Sequence, residues 1–82
     1  MIESSQSRAA RALLDWTQAE LAHAAGVGMS TVRRFENGRR TPIPNNITAI
    51  RKALEDAGVI FIDANGEGPG VQLRKRASRR RR

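Results

Sequence analysis

Apolar residues recur along this chain with a helical period from Ala9 to Ala57, then switch to a strand-like run. A first helix is expected from about Ser5 to Leu14, with Ala9, Ala12 and Leu13 as its buried stripe and Ser4 or Ser5 as N-cap. Residues 1–4 before it are expected to fray. In a second helix, Leu21, Ala22 and Ala25 share one face and Gln18 and Glu20 are left for water. Thr17 is its natural N-cap, and Glu20 three residues later completes a T-x-x-E capping box. A third helix starts at Gly28 and Met29 and ends at Asn37-Gly38, either of which can take the left-handed conformation that stops a helix. Val32 and Phe35 point inward; Met29, Ser30, Arg33 and Arg34 point out. A fourth helix runs from about Asn46 to Ala57, with Asn45 or Asn46 as N-cap and Gly58 just past its end. Its apolar stripe is Ile47, Ile50, Ala53, Leu54 and Ala57.

After Gly58 the period changes. Val59 to Ile62 reads as a strand, ANGEGPG as a turn-rich link containing Asn65-Gly66, and Val71 to Arg74 as a second strand. The first strand is apolar at four consecutive positions, so both of its faces want cover, and the helices can cover only one. The open face, or the strand edge, is a candidate dimer interface, with Val59, Phe61 and Ile62 as its contacts; the alternative is that the tail or a bent hairpin covers it. Residues 75–82 have no apolar periodicity and are expected to be disordered alone.

The link between the second and third helices carries the most specific signal. Gly26 stands where the backbone needs a positive φ, Ala22 is small enough for two steeply crossing helices to approach, and Val32 is β-branched. Small residue, glycine four later, β-branched residue six after that is the spacing of a helix-turn-helix. TQAELA, GV, TV and FENG then follow in order without a gap. Over about Arg8 to Gly58 the chain resembles the phage-repressor/Cro-type (Xre-type) helix-turn-helix family. The resemblance implies a mainly α fold. A four-helix, repressor-like DNA-binding domain would occupy residues 1–58, a short β-hairpin 59–74 and a disordered basic tail 75–82.

The same resemblance implies a function: sequence-specific regulation of transcription by binding double-stranded DNA, usually as a homodimer on inverted half-sites. The helix from Met29 to Asn37 would enter the major groove. Arg33 and Arg34 are its best guanine readers, since a guanidinium can bond O6 and N7 together. Met29 could touch a thymine methyl, and Ser30 is an ambiguous reader. Phosphate contacts are expected from Thr17, Gln18, Gly28, Asn37, Arg39 and Arg40. Gln18 sits in the first turn of its helix, where an anion is also favoured by the helix N-terminus. Gly28 offers no side-chain cap but permits close approach of a phosphate. Arg11 and Glu36 fall where this family often carries a partly buried ion pair, so they join Ala22, Gly26, Val32 and Phe35 as structural positions.

Composition narrows the alternatives. At 82 residues the chain is one small domain, and it has no cysteine and a single histidine. His23 reads as a surface residue, and neither metal nor cofactor is expected. No paired carboxylates or glycine-rich phosphate loop suggest an enzyme, since GEGPG lies in a hairpin turn. MIESSQS is polar and acidic, unlike a signal peptide, and the longest apolar run is too short to span a membrane, so a cytoplasmic protein is expected.

The formal net charge is +7, from 15 basic and 8 acidic residues, and seven of the basic ones lie in the last nine positions. Residues 1–73 are therefore neutral overall. From Arg33 to Lys52, six basic residues (Arg33, Arg34, Arg39, Arg40, Arg51, Lys52) face one acid, Glu36, as neutralisation of a DNA backbone would require. For Arg51 and Lys52, a solvated surface fits as well as phosphate contact. Trp16 is expected to pack beside Leu13 and Leu21, and Ile43, between two prolines, to plug the edge of the core. Two other readings stay open: an antitoxin or accessory subunit that binds a partner protein and autoregulates its operon, and sequence-indifferent nucleic-acid binding by the arginine tail.

Overall fold

Only some of the helices begin at a side chain that caps the free amides of the first turn. The computed structural model describes residues 2–38, 43–63 and 66–74. Helix α1 is Ser4–Leu14, α2 Gln18–Ala25, α3 Met29–Glu36 and α4 Pro44–Asp56; strands β1 (Val59–Ile62) and β2 (Gly70–Leu73) follow. The expected loop contacts of Arg39 and Arg40, the Asn65 half of the turn and the tail 75–82 lie outside the described residues.

At α2 the capping box forms as the sequence predicts. The Thr17 hydroxyl accepts from the Glu20 amide at 3.0 Å, and the Glu20 carboxylate accepts from the Thr17 amide at 2.8 Å. Helix α1 differs from expectation. Its N-cap is Glu3 rather than Ser4 or Ser5, and the Gln6 carboxamide oxygen accepts from the Glu3 amide at 2.8 Å. Helix α4 also starts earlier than expected, with Ile43 as N-cap and Pro44 in the first turn. Proline has no amide to leave unsatisfied there, and its φ is already helical.

One core joins all of these elements. Leu21, Ala22, Val32, Phe35, Ile47, Ile50, Ala53, Leu54 and Val59 form it, closed by Ile2 and Ala10, with Trp16 and Phe61 packed against it half-buried. The stripe expected on α4 is buried except for Ala57, which is half-buried. Removing most of a buried Leu or Ile side chain here should cost about 2–5 kcal/mol, through lost transfer energy and the cavity left behind.

Three expectations about the edges of this core fail. Ile2 is buried, so the chain just before α1 is anchored in the core. Ala9, Ala12 and Leu13 face solvent, and α1 instead turns Gln6, Ser7, Ala10 and Leu14 inward. Trp16 is half-buried against the core, while Leu13 is 43% exposed. Ile43 is 63% exposed and plugs nothing.

The hairpin is antiparallel, with Val59 opposite Leu73 and Ile62 opposite Gly70. Its second strand begins one residue earlier than predicted, and the Arg74 amide extends the ladder by donating to the Gly58 carbonyl at 2.6 Å. Side chains alternate across β1. Val59 and Phe61 turn toward the helices, leaving Ile60 half-buried and Ile62 exposed on the other face. Gln6 ties α1 to this hairpin: its Nε2 donates to the carbonyls of Ile62 at 3.1 Å and Gly70 at 3.0 Å.

Candidate nucleic-acid interface

Helices α2 and α3 meet through a turn of three residues. Gly26 takes φ +70°, closes α2 and sends the chain across to α3. Open space surrounds it, so any residue there other than glycine would suffer from backbone strain and not from crowding. Gly28 is the N-cap of α3, with no side-chain hydrogen bond, and a side chain there would meet only Thr31 and Ser30 at ordinary contact distance. The start of α3 is thus open to an approaching ligand.

Helix α3 has eight residues and two sharply different sides. Val32, Phe35 and Glu36 are buried. Met29, Ser30, Arg33 and Arg34 are exposed, the set the sequence places outward. Past the helix, Asn37 keeps a right-handed conformation and Gly38, at φ +72°, makes the left-handed turn. Of the two residues able to stop α3, glycine does so because it pays no Cβ penalty.

Glu36 is a carboxylate with no exposed surface, surrounded by donors. Arg11 Nη2 reaches its Oε1 at 2.8 Å while Arg11 Nε bonds Oε2 at 2.9 Å. The Ser7 hydroxyl donates to Oε2 at 2.6 Å, and Gln18 Nε2 donates to Oε1 at 3.1 Å. Arg11 also donates through Nη1 to the Trp16 carbonyl at 3.0 Å, which fixes the chain between α1 and α2. Burial pushes the Glu36 carboxyl up. The hydrogen bonds from Arg11, Ser7 and Gln18, with the charge of Arg11, outweigh it and hold the group below its ordinary value. The ion pair foreseen from the sequence is present, as part of a larger network. Ser7 was missed, although it lies one turn before Arg11 on the same side of α1. Arg8 was missed too: its Nη1 donates to the main-chain carbonyl of Glu36, at the end of α3.

Gln18, expected at a phosphate, is half-buried against Glu36, with one of its two amide hydrogens committed there. Gln18 and Asn37 thus adjoin the same residue, while Thr17 and Gly28 are exposed at the starts of α2 and α3. Val59 is completely enclosed by its own chain, so its side chain is not available as a dimer contact. Phe61 is half-buried beneath Arg51, whose guanidinium carbon lies 5.4 Å from the ring centre.

The basic stretch seen in the sequence also changes in space. Arg51 pairs with Glu55 at 2.9 Å and Lys52 with Asp56 at 3.1 Å, each one turn along α4. Both acids lie just beyond the basic stretch that ends at Lys52. Exposed His23 has no group of candidate metal ligands around it, and none occurs among the described residues.

A two-helix unit with a glycine turn, a buried second-helix face and exposed arginines on its other side is the arrangement of a DNA-reading motif. A sequence model of helix-turn-helix proteins matches residues 8–55, more than half of the chain. The chain belongs to the Xre/Cro-type helix-turn-helix family. No curated protein matches it. As a helix-turn-helix protein it is a DNA-binding regulator. The matched segment begins at Arg8 on α1 and ends at Glu55 on α4, so the hairpin lies beyond the helix-turn-helix match. Among the described residues, no helix of this helix-turn-helix protein is long and apolar enough to cross a membrane.

Proposed function

We propose that the protein is a sequence-specific regulator of transcription that lays α3 in the major groove of duplex DNA, in the cytoplasm and on the nucleoid. The observation that carries this reading is the outer side of α3. Arg33 and Arg34 are exposed there beside Met29 and Ser30, and neither arginine pairs with a carboxylate among the described residues. Guanidinium groups without a carboxylate partner can bond guanine O6 and N7, and an exposed methionine can lie on a thymine methyl. Phosphates on either side would be held by the second amide hydrogen of Gln18, the Thr17 hydroxyl, the backbone at Gly28, Asn37, and Arg39 with Arg40. A domain seated in the groove this way excludes other proteins from the same base pairs, which favours repression by occupancy.

The unit on DNA is proposed to be a homodimer. The outward side of β1, Ile60 and Ile62, is the apolar surface that would join two copies, in place of the inward-facing Val59 and Phe61. Two copies related by a twofold axis would read inverted half-sites about one helical turn apart.

Selection of binding sites from a random duplex pool tests the whole reading. Enrichment of an inverted repeat with that spacing is the expected result. A pool that binds yet yields no enriched sequence would show that the protein holds DNA without reading it.

A further inference from the structure

Ion pairing sorts the cations of this molecule into two sets. Seven arginines and lysines lie among the described residues: Arg8, Arg11, Arg33, Arg34, Arg51, Lys52 and Arg74. Three of them pair with carboxylates, Arg11 with Glu36, Arg51 with Glu55 and Lys52 with Asp56. Arg8, Arg33, Arg34 and Arg74 have no carboxylate partner among the described residues, although all eight acidic residues are described. Three of these four lie on or against α3. Arg33 and Arg34 belong to the helix, and Arg8 reaches it from α1 through the Glu36 carbonyl.

We propose that Arg8 is a phosphate-binding residue of the DNA interface, carried by α1 outside the helix-turn-helix unit. One guanidinium hydrogen is used on the Glu36 carbonyl, which anchors the group at the end of α3 beside Asn37 and Gly38. A guanidinium has five N–H donors, so most of them remain, and the residue is exposed. Neighbouring Arg11 is less suited to this, since its charge is paired with buried Glu36 and three of its five N–H groups donate within the protein. The anchor also removes much of the freedom that a long side chain would lose on gripping a phosphate. A phosphate contact of this kind adds affinity without reading sequence.

The proposal rests on α3 lying against DNA, and its test separates the two ideas. Affinity is measured against salt for wild type, Arg8→Ala and Arg8→Lys, each on the selected site and on random duplex, with Arg34→Ala as control. Loss of one phosphate contact lowers the slope of log affinity against log salt by about 0.9 per chain. Between 50 and 200 mM salt, wild type should therefore lose about three- to fourfold more affinity than Arg8→Ala does. The ratio between specific and random DNA should stay within about twofold, and Arg8→Lys should restore the slope because it restores the charge. If Arg8 only secures the end of α3, Arg8→Ala will melt at lower temperature with an unchanged salt slope, which overturns the proposal. A changed specificity ratio with an unchanged slope overturns it as well. An Arg34→Ala protein indistinguishable from wild type on every duplex would instead count against α3 as the reading helix and leave the Arg8 slope to be judged by itself.

Discussion

Glu36 and Arg34 stand two residues apart on one helix and live under opposite rules. The Glu36 carboxylate is buried and accepts hydrogen bonds from three side chains, while Arg34 is exposed and has no carboxylate partner among the described residues. An ion inside a protein survives only when its lost hydration is replaced, so Glu36 had to gather Arg11, Ser7 and Gln18. An ion at the surface keeps its hydration and remains free to exchange it for a ligand. The inner side of α3 has therefore used its charge on the fold, while the outer side leaves its charge open to a ligand, which we propose is DNA.

Removing the inner charge should produce the largest effect. Glu36→Ala strands Arg11 without its partner and should destabilise by about 3–5 kcal/mol, a large part of the stability of so small a domain. The double variant with Arg11→Met should recover part of the loss, because the charge that was stranded is gone. Denaturant unfolding of the three proteins checks this. A full-size loss in the double variant would mean that Glu36 acts mainly through Ser7 and Gln18.

Acid is a gentler way to the same end. The folded Glu36 carboxyl titrates below its unfolded counterpart. Its stabilisation is complete above the unfolded value, about pH 4.3, and disappears as pH falls through the lower folded one. The melting temperature should fall over that acid range, and Glu36→Gln should lack that part of the fall.

On the outer side, Arg34→Ala should leave stability almost untouched and cost about 1–3 kcal/mol of affinity on the selected site, with relaxed preference at one base pair. Arg33→Ala belongs beside it, since both arginines are exposed on the same helix. Binding to a panel of single-base variants distinguishes the roles: an equal loss on every duplex would make the residue a phosphate contact.

The same inside-outside contrast recurs on β1 with apolar groups. Ile62→Asp places a charge on the outward face, where folding should tolerate it. If that face joins two copies, the dimer should weaken tenfold or more, about 1.4 kcal/mol, and operator affinity should follow. Sedimentation with and without DNA reads both. A wild-type protein that stays monomeric in both conditions would remove the hairpin as an interface.

How much of this was written in the sequence depends on how local each feature is. The Thr17–Glu20 box, the Gly26 turn and the outward set on α3 follow from spacings of a few residues, and they stand where the sequence places them. Helix α1 was misread because its inward face is chosen by hydrogen bonding. Gln6 and Ser7 are buried to serve carbonyls of the hairpin and the Glu36 carboxylate, all at least 29 residues away in sequence. Periodicity weighs apolar side chains only, and alanines at Ala9, Ala10 and Ala12 gave it no clear face. Pro44 is a legible signal as well: a proline at this point opens a helix as readily as it ends a loop. Glu55 and Asp56 were equally legible, one turn beyond Arg51 and Lys52 along the helix face.

Those last pairs give the smallest and most discriminating effect. Lys52 and Asp56 are both well exposed, at 73% and 66% of their side chains, so their attraction is screened by water and salt. Lys52→Met should change stability by less than about half a kcal/mol. Its consequence for DNA is where the division between used and open charges can fail. If pairing along α4 keeps Lys52 away from phosphate, its removal should leave the salt slope of DNA binding unchanged, although it deletes as much charge as Arg8→Ala. Asp56→Asn supplies the converse, freeing Lys52 without removing it, and should leave the slope unchanged as well if α4 lies away from the duplex. A slope reduced by about 0.9 in Lys52→Met would show that the lysine exchanges Asp56 for a phosphate on binding. Ion pairing in the free protein would then no longer distinguish the cations that touch DNA from those that do not.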